Sequence, residues 1–198
     1  MQDHFKDKAH TWDKGKVQVG GAKVIADAIV KNITITKDME IMDFGVGTGL
    51  LGFEIAKLCK KVYGVDMSPS MLQKLEEKNS SELHIEAICQ DIVKEPLHMT
   101  FDGVVSSMTL HHVEHLESFF QSIYKNLNEN GFIAIADLEL EDGTFHSDNT
   151  GVHHFGFDEK TLCNAVSKCG FKNINFENIN TINKPQRDFE VFLLTATK

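Results

Sequence analysis

The chain has 198 residues and a formal net charge of −9, from 29 acidic and 20 basic side chains, with 41% hydrophobic and 25% charged residues. This is globular composition at about the length of one domain, and the recurrence of apolar residues with only 3 prolines excludes a largely disordered chain. The single arginine, Arg187, and the lack of a dense basic patch beyond Lys57, Lys60 and Lys61 exclude tight binding to nucleic acid or to an anionic membrane surface, both of which rest on several basic contacts. No apolar run approaches the roughly 18 residues of a membrane helix. The start, Met1-Gln2-Asp3-His4-Phe5-Lys6, carries no secretion signal, so a cytoplasmic chain is expected. Cys59, Cys89, Cys163 and Cys169 form no CxxC pair and read as small buried hydrophobes in a reducing compartment.

The first fifteen residues are largely polar with two aromatics, Phe5 and Trp12, and read as a separate leading segment. From Val19 to Val30 the spacing of Val24, Ile25, Ala28 and Ile29 predicts a helix. A strand over Glu40–Phe44, a glycine-rich turn and a helix bearing Leu50, Leu51, Ile55 and Leu58 follow. Val62–Val65 is a second strand. Ser68 caps the next helix, with Pro69 in its first turn. Strands are expected over His84–Ile88, Phe101–Ser106 and Phe132–Ala136, with a helix near Leu116–Leu127 that stops at Gly131. Asp158 caps a last helix, closed by Gly170, and Phe171–Phe176 and Phe189–Ala196 are strands with no helix between them. The alternation predicts an α/β, doubly wound Rossmann-like sheet of about seven strands. It should be mostly parallel, with helices on both faces and an antiparallel C-terminal hairpin. One domain is expected over 1–198: a leading lid at 1–18, a ligand-binding core at 19–140, a substrate loop at 141–157 and a helix with hairpin at 158–198.

The sharpest local signal is Asp43-Phe44-Gly45-Val46-Gly47-Thr48-Gly49-Leu50-Leu51-Gly52, between a strand and a helix. Glycines there allow positive φ and a bare backbone, and the helix start behind them favours an anion. Gly47 to Gly52 also fits G-x-G-x-x-G, and Asp66 ends the second strand where a ribose-binding acid is expected, so a nicotinamide dinucleotide is one reading. Against it stand the earlier glycine start in D-x-G-x-G-x-G, a third strand-end acid at Asp91, and the lack of Tyr-x-x-x-Lys at Tyr63 or Tyr124.

The segment Ile41 to Gly49 resembles the signature of Rossmann-like S-adenosylmethionine (SAM) dependent methyltransferases. The resemblance runs on through Tyr63-Gly64-Val65-Asp66-Met67-Ser68, Cys89-Gln90-Asp91-Ile92, Phe101 to Ser107 and Leu127 to Phe132, most of residues 40–140. It implies a small-molecule type of methyltransferase with SAM as cofactor. Gly45, Val46, Gly47 and Gly49 would lie beneath the methionine part, with Asp43 near its ammonium. Asp66 would accept from both ribose hydroxyls, Met67 and Ile92 would sandwich the adenine, and Asp91 would accept from its amine. Ser107 and Met108 would border the sulfonium, and Trp12 with Phe5 would fold over the cofactor. A SAM-binding protein without catalysis is the alternative of another class.

Methyl transfer is an in-line displacement that asks mainly for positioning, helped by a base where the acceptor must lose a proton. His146 and His153 lie in the loop after the fifth strand, at the edge where doubly wound sheets bind ligands, and are the candidate catalytic bases. His111 and His112 follow the fourth strand in a stretch similar to the family's, and both packing and a direct role stand open. The histidine spacing fits no standard metal site, so no metal is expected. Ser106-Ser107-Met108-Thr109 replaces the Asn/Asp-Pro-Pro-Tyr of nucleic-acid amino-methylating enzymes, and no cysteine adjoins Pro69, Pro96 or Pro185 as in cytosine carbon-5 enzymes. With no large extra substrate domain, a small-molecule acceptor is expected, its O, N, S or C atom left open.

Overall fold

A computed structural model describes Asp3 and residues 5–198; Met1, Gln2 and His4 of the leading segment lie outside the described residues. Seven strands form one sheet: β1 Glu40–Phe44, β2 Lys61–Asp66, β3 Ile85–Cys89, β4 Phe101–Ser107, β5 Leu127–Leu138, β6 Lys172–Asn183 and β7 Asp188–Thr197. Their order is β3-β2-β1-β4-β5-β7-β6. The first five are mutually parallel, and β7 runs antiparallel to both β5 and β6. Strand order reverses between β1 and β4, so a crevice opens at the carboxyl ends of those two strands, the position where such sheets hold ligands.

Among the described residues five helices cover the sheet: α1 Lys16–Asn32, α2 Leu50–Ala56, α3 Pro69–Glu76, α4 Leu116–Asn126 and α5 Glu159–Lys168. Successive strand residues face opposite sides, and each side has its own core. Ile41, Val62, Ile85, Val105 and Ala134 pack against Ile25 and Ile29 of α1, Leu51 and Ile55 of α2 and Leu72 and Leu75 of α3. Met42, Val104, Ile133 and Phe192 pack against Phe119, Phe120 and Ile123 of α4 and Leu162 and Val166 of α5. Fully burying one such aliphatic or aromatic side chain contributes roughly 1.5–3 kcal/mol. Among the described residues no helix is long and apolar enough to cross a membrane.

Several boundaries differ from expectation, α1 running from Lys16 to Asn32 and β5 starting at Leu127, and two have a clear cause. The fourth helix ends at Asn126, because the Asn126 amide donates to the Leu97 and Met99 carbonyls at 2.8 and 2.7 Å and Leu127 joins the sheet opposite Phe101. The C-terminal hairpin runs far past Phe176, to Asn183, turning at Lys184–Arg187. Its edge strand alternates asparagines with isoleucines and threonine, a polar pattern that hid the strand.

Candidate functional site

β1 is buried, and its chain must turn within five residues into α2. Gly45, Gly47 and Gly49 make that turn at φ of +68°, +53° and +86°. Gly45 has no freedom to be anything else: a β-carbon there would lie 2.1 Å from the Thr109 methyl. Gly47 is the opposite case, since a β-carbon there would meet nothing within 4 Å. Its bare backbone faces open space at the head of the crevice.

Asp66, at the tip of β2, fixes this turn. One carboxylate oxygen accepts from the Gly47 N–H and the other from the Ser68 N–H, both at 2.8 Å. The Gly45 and Val46 N–H groups donate to the Val65 carbonyl at 2.8 and 3.1 Å. Ser68 in turn caps α3 by accepting from the Met71 N–H. Burial raises the Asp66 carboxyl above its ordinary range, against the pull of these backbone donors. Asp43 is more deeply placed, 2% exposed, with Oδ2 left unpartnered. Burial, and then the charge of Asp66, push its carboxyl well above the ordinary range. Both carboxyls are thus held at a cost next to the glycine turn, an arrangement that favours a neighbouring cation or hydroxyl donors.

The remaining sequence-predicted residues divide. Met67, beside Asp66, is 46% exposed. Ile92 is buried in the core beneath the same sheet end. Asp91 accepts from the Val93 and Lys94 N–H groups and pairs with the Lys94 ammonium at 2.9 Å, so its carboxylate holds the turn after β3. At the end of β4, Ser107 precedes Met108, which sits at φ +54° with its N–H donating to the Ala136 carbonyl. The Thr109 hydroxyl donates to the Ser107 and Gly45 carbonyls and so joins β4 to the glycine turn. Trp12 is half-buried and meets Phe5 edge to face, ring centres 5.9 Å apart. The leading segment is anchored on the β1 and β2 side of the crevice: Asp3 accepts from Ser68 Oγ and the Ser70 N–H, and Asp13 accepts from Thr48 Oγ1.

Beyond the glycine turn lies a histidine cluster. His111 is 2% exposed, on a 3-10 turn over Leu110–His112, and its Nδ1 lies 2.8 and 3.0 Å from the two carboxylate oxygens of Asp137, which is 0% exposed on β5. The His111 and Leu138 N–H groups also donate to Asp137. Burial works against a charged His111, yet the Asp137 charge and hydrogen bond outweigh it and hold the imidazole above its ordinary range. Asp137 is correspondingly lowered, its own burial overcome by His111. His146 packs on His111 with ring centres 4.9 Å apart, and His112 at 4.2 Å. Burial and the neighbouring His111 press both His112 and His146 down to about 4. His111 Nε2 and His146 Nε2 are buried without partners. His153 is brought near only through its backbone, its N–H donating to the His111 carbonyl at 2.9 Å; its ring is exposed. Among the described residues no group of three or more His, Cys, Asp or Glu side chains could hold a metal ion.

The residues missed by sequence reasoning are Asp137, Thr109, Asp3 and Asp13. Asp137 carried a legible signal: like Asp43, Asp66 and Asp91 it is an acid at or near the end of an apolar strand, in Phe132 to Leu138. Thr109 and the two leading-segment aspartates carried none, because their partners are remote in sequence.

Comparison with known proteins bears on the family and the fold. Residues 42–135 match a family model described as a methyltransferase domain. The chain is 31% identical over 175 residues to an uncharacterized methyltransferase of Schizosaccharomyces pombe, covering 79% of this chain and 60% of that one. It thus spans about 60% of that relative's length. Among solved structures, a methyltransferase chain in complex with the Trm112 methyltransferase activator of Haloferax volcanii superposes with a TM-score of 0.80, at 15% identity, covering 100% of this chain and 98% of that one. A Haemonchus contortus phosphoethanolamine N-methyltransferase 2, solved with phosphomonomethylethanolamine and S-adenosylhomocysteine, superposes at 0.73 with 17% identity, covering 99% of this chain and 59% of that one.

Proposed function

We infer, from the chain's membership of the Rossmann-like S-adenosylmethionine-dependent methyltransferase family, that it transfers a methyl group from SAM to a small-molecule acceptor. The observation that carries the reading is the open space at the bare backbone of Gly47, whose N–H is held by Asp66, with the leading segment anchored nearby at Thr48 and Ser68. When bound, SAM supplies an electrophilic methyl on a positively charged sulfur. Gly45, Val46, Gly47 and Gly49 offer backbone close enough to support its methionine part. Asp43 and Asp66 are anions that burial disfavours, so a cation near Asp43 and two ribose hydroxyls on the free lone pairs of Asp66 relieve both. Met67 presents an exposed apolar side chain for the adenine, and Ile92 is the floor beneath it. Ser107 and Met108 bring the carboxyl end of β4 up to the reacting centre, and Trp12 with Phe5 excludes water from above. Asp91, already engaged by Lys94, has an accepting oxygen for the adenine amine. Of the two loop histidines, the half-buried ring of His146 supports a part at the acceptor better than the exposed ring of His153.

Holding an acceptor in line with the methyl supplies up to roughly 7–11 kcal/mol of the barrier without any other chemistry. Calorimetric titration and thermal shift with SAM, S-adenosylhomocysteine and NAD test the reading, since a ligand of the folded state raises its melting temperature. SAM and S-adenosylhomocysteine should bind and NAD should not. Stabilisation by NAD alone would overturn it.

A further inference from the structure

We propose that the groove between the end of β5, the start of α5 and the edge strand β6 docks a partner protein, through an extended segment that carries lysine or arginine side chains around one apolar anchor. The proposal stands independently of the methyltransferase reading.

The groove has a volume of about 450 Å³, and Phe157 and Phe176 give it an apolar floor. That floor is rigid. Phe157 is buried, its ring meets Phe192 edge to face with centres 6.0 Å apart, and Phe176 stacks on the same Phe192 at 4.4 Å. Leu140 also lines the groove and is 66% exposed, more than any other large apolar side chain among the described residues. A small-molecule pocket encloses most of its ligand's surface, whereas this trough lies open and suits a chain laid across it. The Phe157 N–H donates to the Leu138 carbonyl at 3.0 Å, and the Phe157 carbonyl accepts from the Leu140 N–H at 3.1 Å. The two stems of the loop that carries His146 therefore meet in this groove.

Charge selects the occupant. Glu139, Asp158 and Glu159 line the groove, and no basic side chain does. Glu139 has the neutral Asn178 amide at 3.2 Å, and the same amide donates to Glu190, a fourth carboxylate, at 2.6 Å. Asp158 accepts from the Thr161 hydroxyl and N–H, which hold its carboxyl below the ordinary range and so ionised. The Glu159 carboxylate makes no hydrogen bond or ion pair among the described residues. Lys160 acts on Asp158 but lines no part of the groove. Like charges gathered round an apolar floor repel one another, and a cationic segment with an apolar anchor relieves the repulsion as it covers the floor. A second copy of this chain, at a net charge of −9, is repelled instead. Exposed ion pairs contribute little each, so affinity should rest on the anchor and selectivity on the carboxylates.

The test selects random peptides displayed on phage against the immobilised full chain. Synthetic versions are then titrated by calorimetry into the wild type, Leu140→Ser, Glu159→Lys and the milder Glu159→Gln. Both positions are exposed, so the variants should melt close to the wild type. Enriched peptides should carry lysine or arginine beside an aliphatic or aromatic residue. Leu140→Ser should weaken them at least about tenfold and Glu159→Lys at least about threefold, the scales of a lost anchor and of a lost exposed pair, with Glu159→Gln in between. Amide shifts in spectra of the full chain should centre on Leu140, Phe157 to Glu159 and Phe176. No enrichment, enriched peptides without basic residues, affinity indifferent to either substitution, or shifts centred elsewhere would each overturn the proposal. Displacement of the peptides by equimolar spermidine would overturn it in favour of a small cation. Self-association in sedimentation velocity that Leu140→Ser abolishes would overturn it in favour of a second copy.

Discussion

Replacing Asp66 with alanine separates the carboxylate's structural work from its proposed ligand work. In the free protein the change removes one acceptor from the Gly47 N–H and one from the Ser68 N–H, each at 2.8 Å. Both amides border the open crevice, so water replaces part of the loss. The change also removes a carboxylate that burial holds above its ordinary range. These effects oppose, and the net loss of stability should stay under about 2 kcal/mol, which for a chain of this length is at most roughly 8 °C in Tm. Cofactor binding has no such compensation. Losing charge-assisted acceptance of ribose hydroxyls costs about 1.5–3 kcal/mol, or roughly 10–140-fold in Kd. Calorimetric titration with SAM and S-adenosylhomocysteine, paired with thermal melts in their absence, reads the two quantities separately. Unchanged affinity in a folded Asp66→Ala protein would refute the assignment of Asp66 to the ribose.

Two glycine substitutions should behave oppositely. Gly45→Ala combines a φ of +68° with a contact 2.1 Å from the Thr109 methyl and should lower stability by about 2–4 kcal/mol in denaturant titration. Gly47→Ala meets no atom and should lose only about 1–2 kcal/mol from its left-handed backbone, yet weaken SAM more, because its new methyl enters the crevice. Asp43→Asn should stabilise the cofactor-free protein at neutral pH. Its folded carboxyl is raised, so the penalty for charge is present above the folded pKa and disappears as pH falls through it toward the ordinary 3.8. Melting curves of the two proteins should therefore converge near pH 4. His146→Ala should lower turnover several-fold at unchanged SAM affinity, whereas His153→Ala should change neither by more than about twofold.

Sequence alone determined the sheet, the helices on its two faces and the glycine turn with Asp66 beside it, because each follows from a short repeat: alternate or continuous apolar residues, helical spacing, and glycine where the backbone must turn left-handed. Ser68 and Asp158 likewise announced their helices, since a cap and the N–H it satisfies lie three residues apart. Tertiary structure decided the rest. The surroundings of His111 could not be read at its own position, since its partner Asp137 lies 26 residues away on the neighbouring strand. The extension of β6 through a run of asparagines came from its partner β7, whose backbone pairs with it whatever the side chains. Asp13 and Asp3 became anchors of the leading segment only because folding set Thr48 and Ser68 opposite them, 35 and 65 residues on. Local propensity writes itself into neighbouring residues, while a site's electrostatics depends on which distant groups the fold buries together.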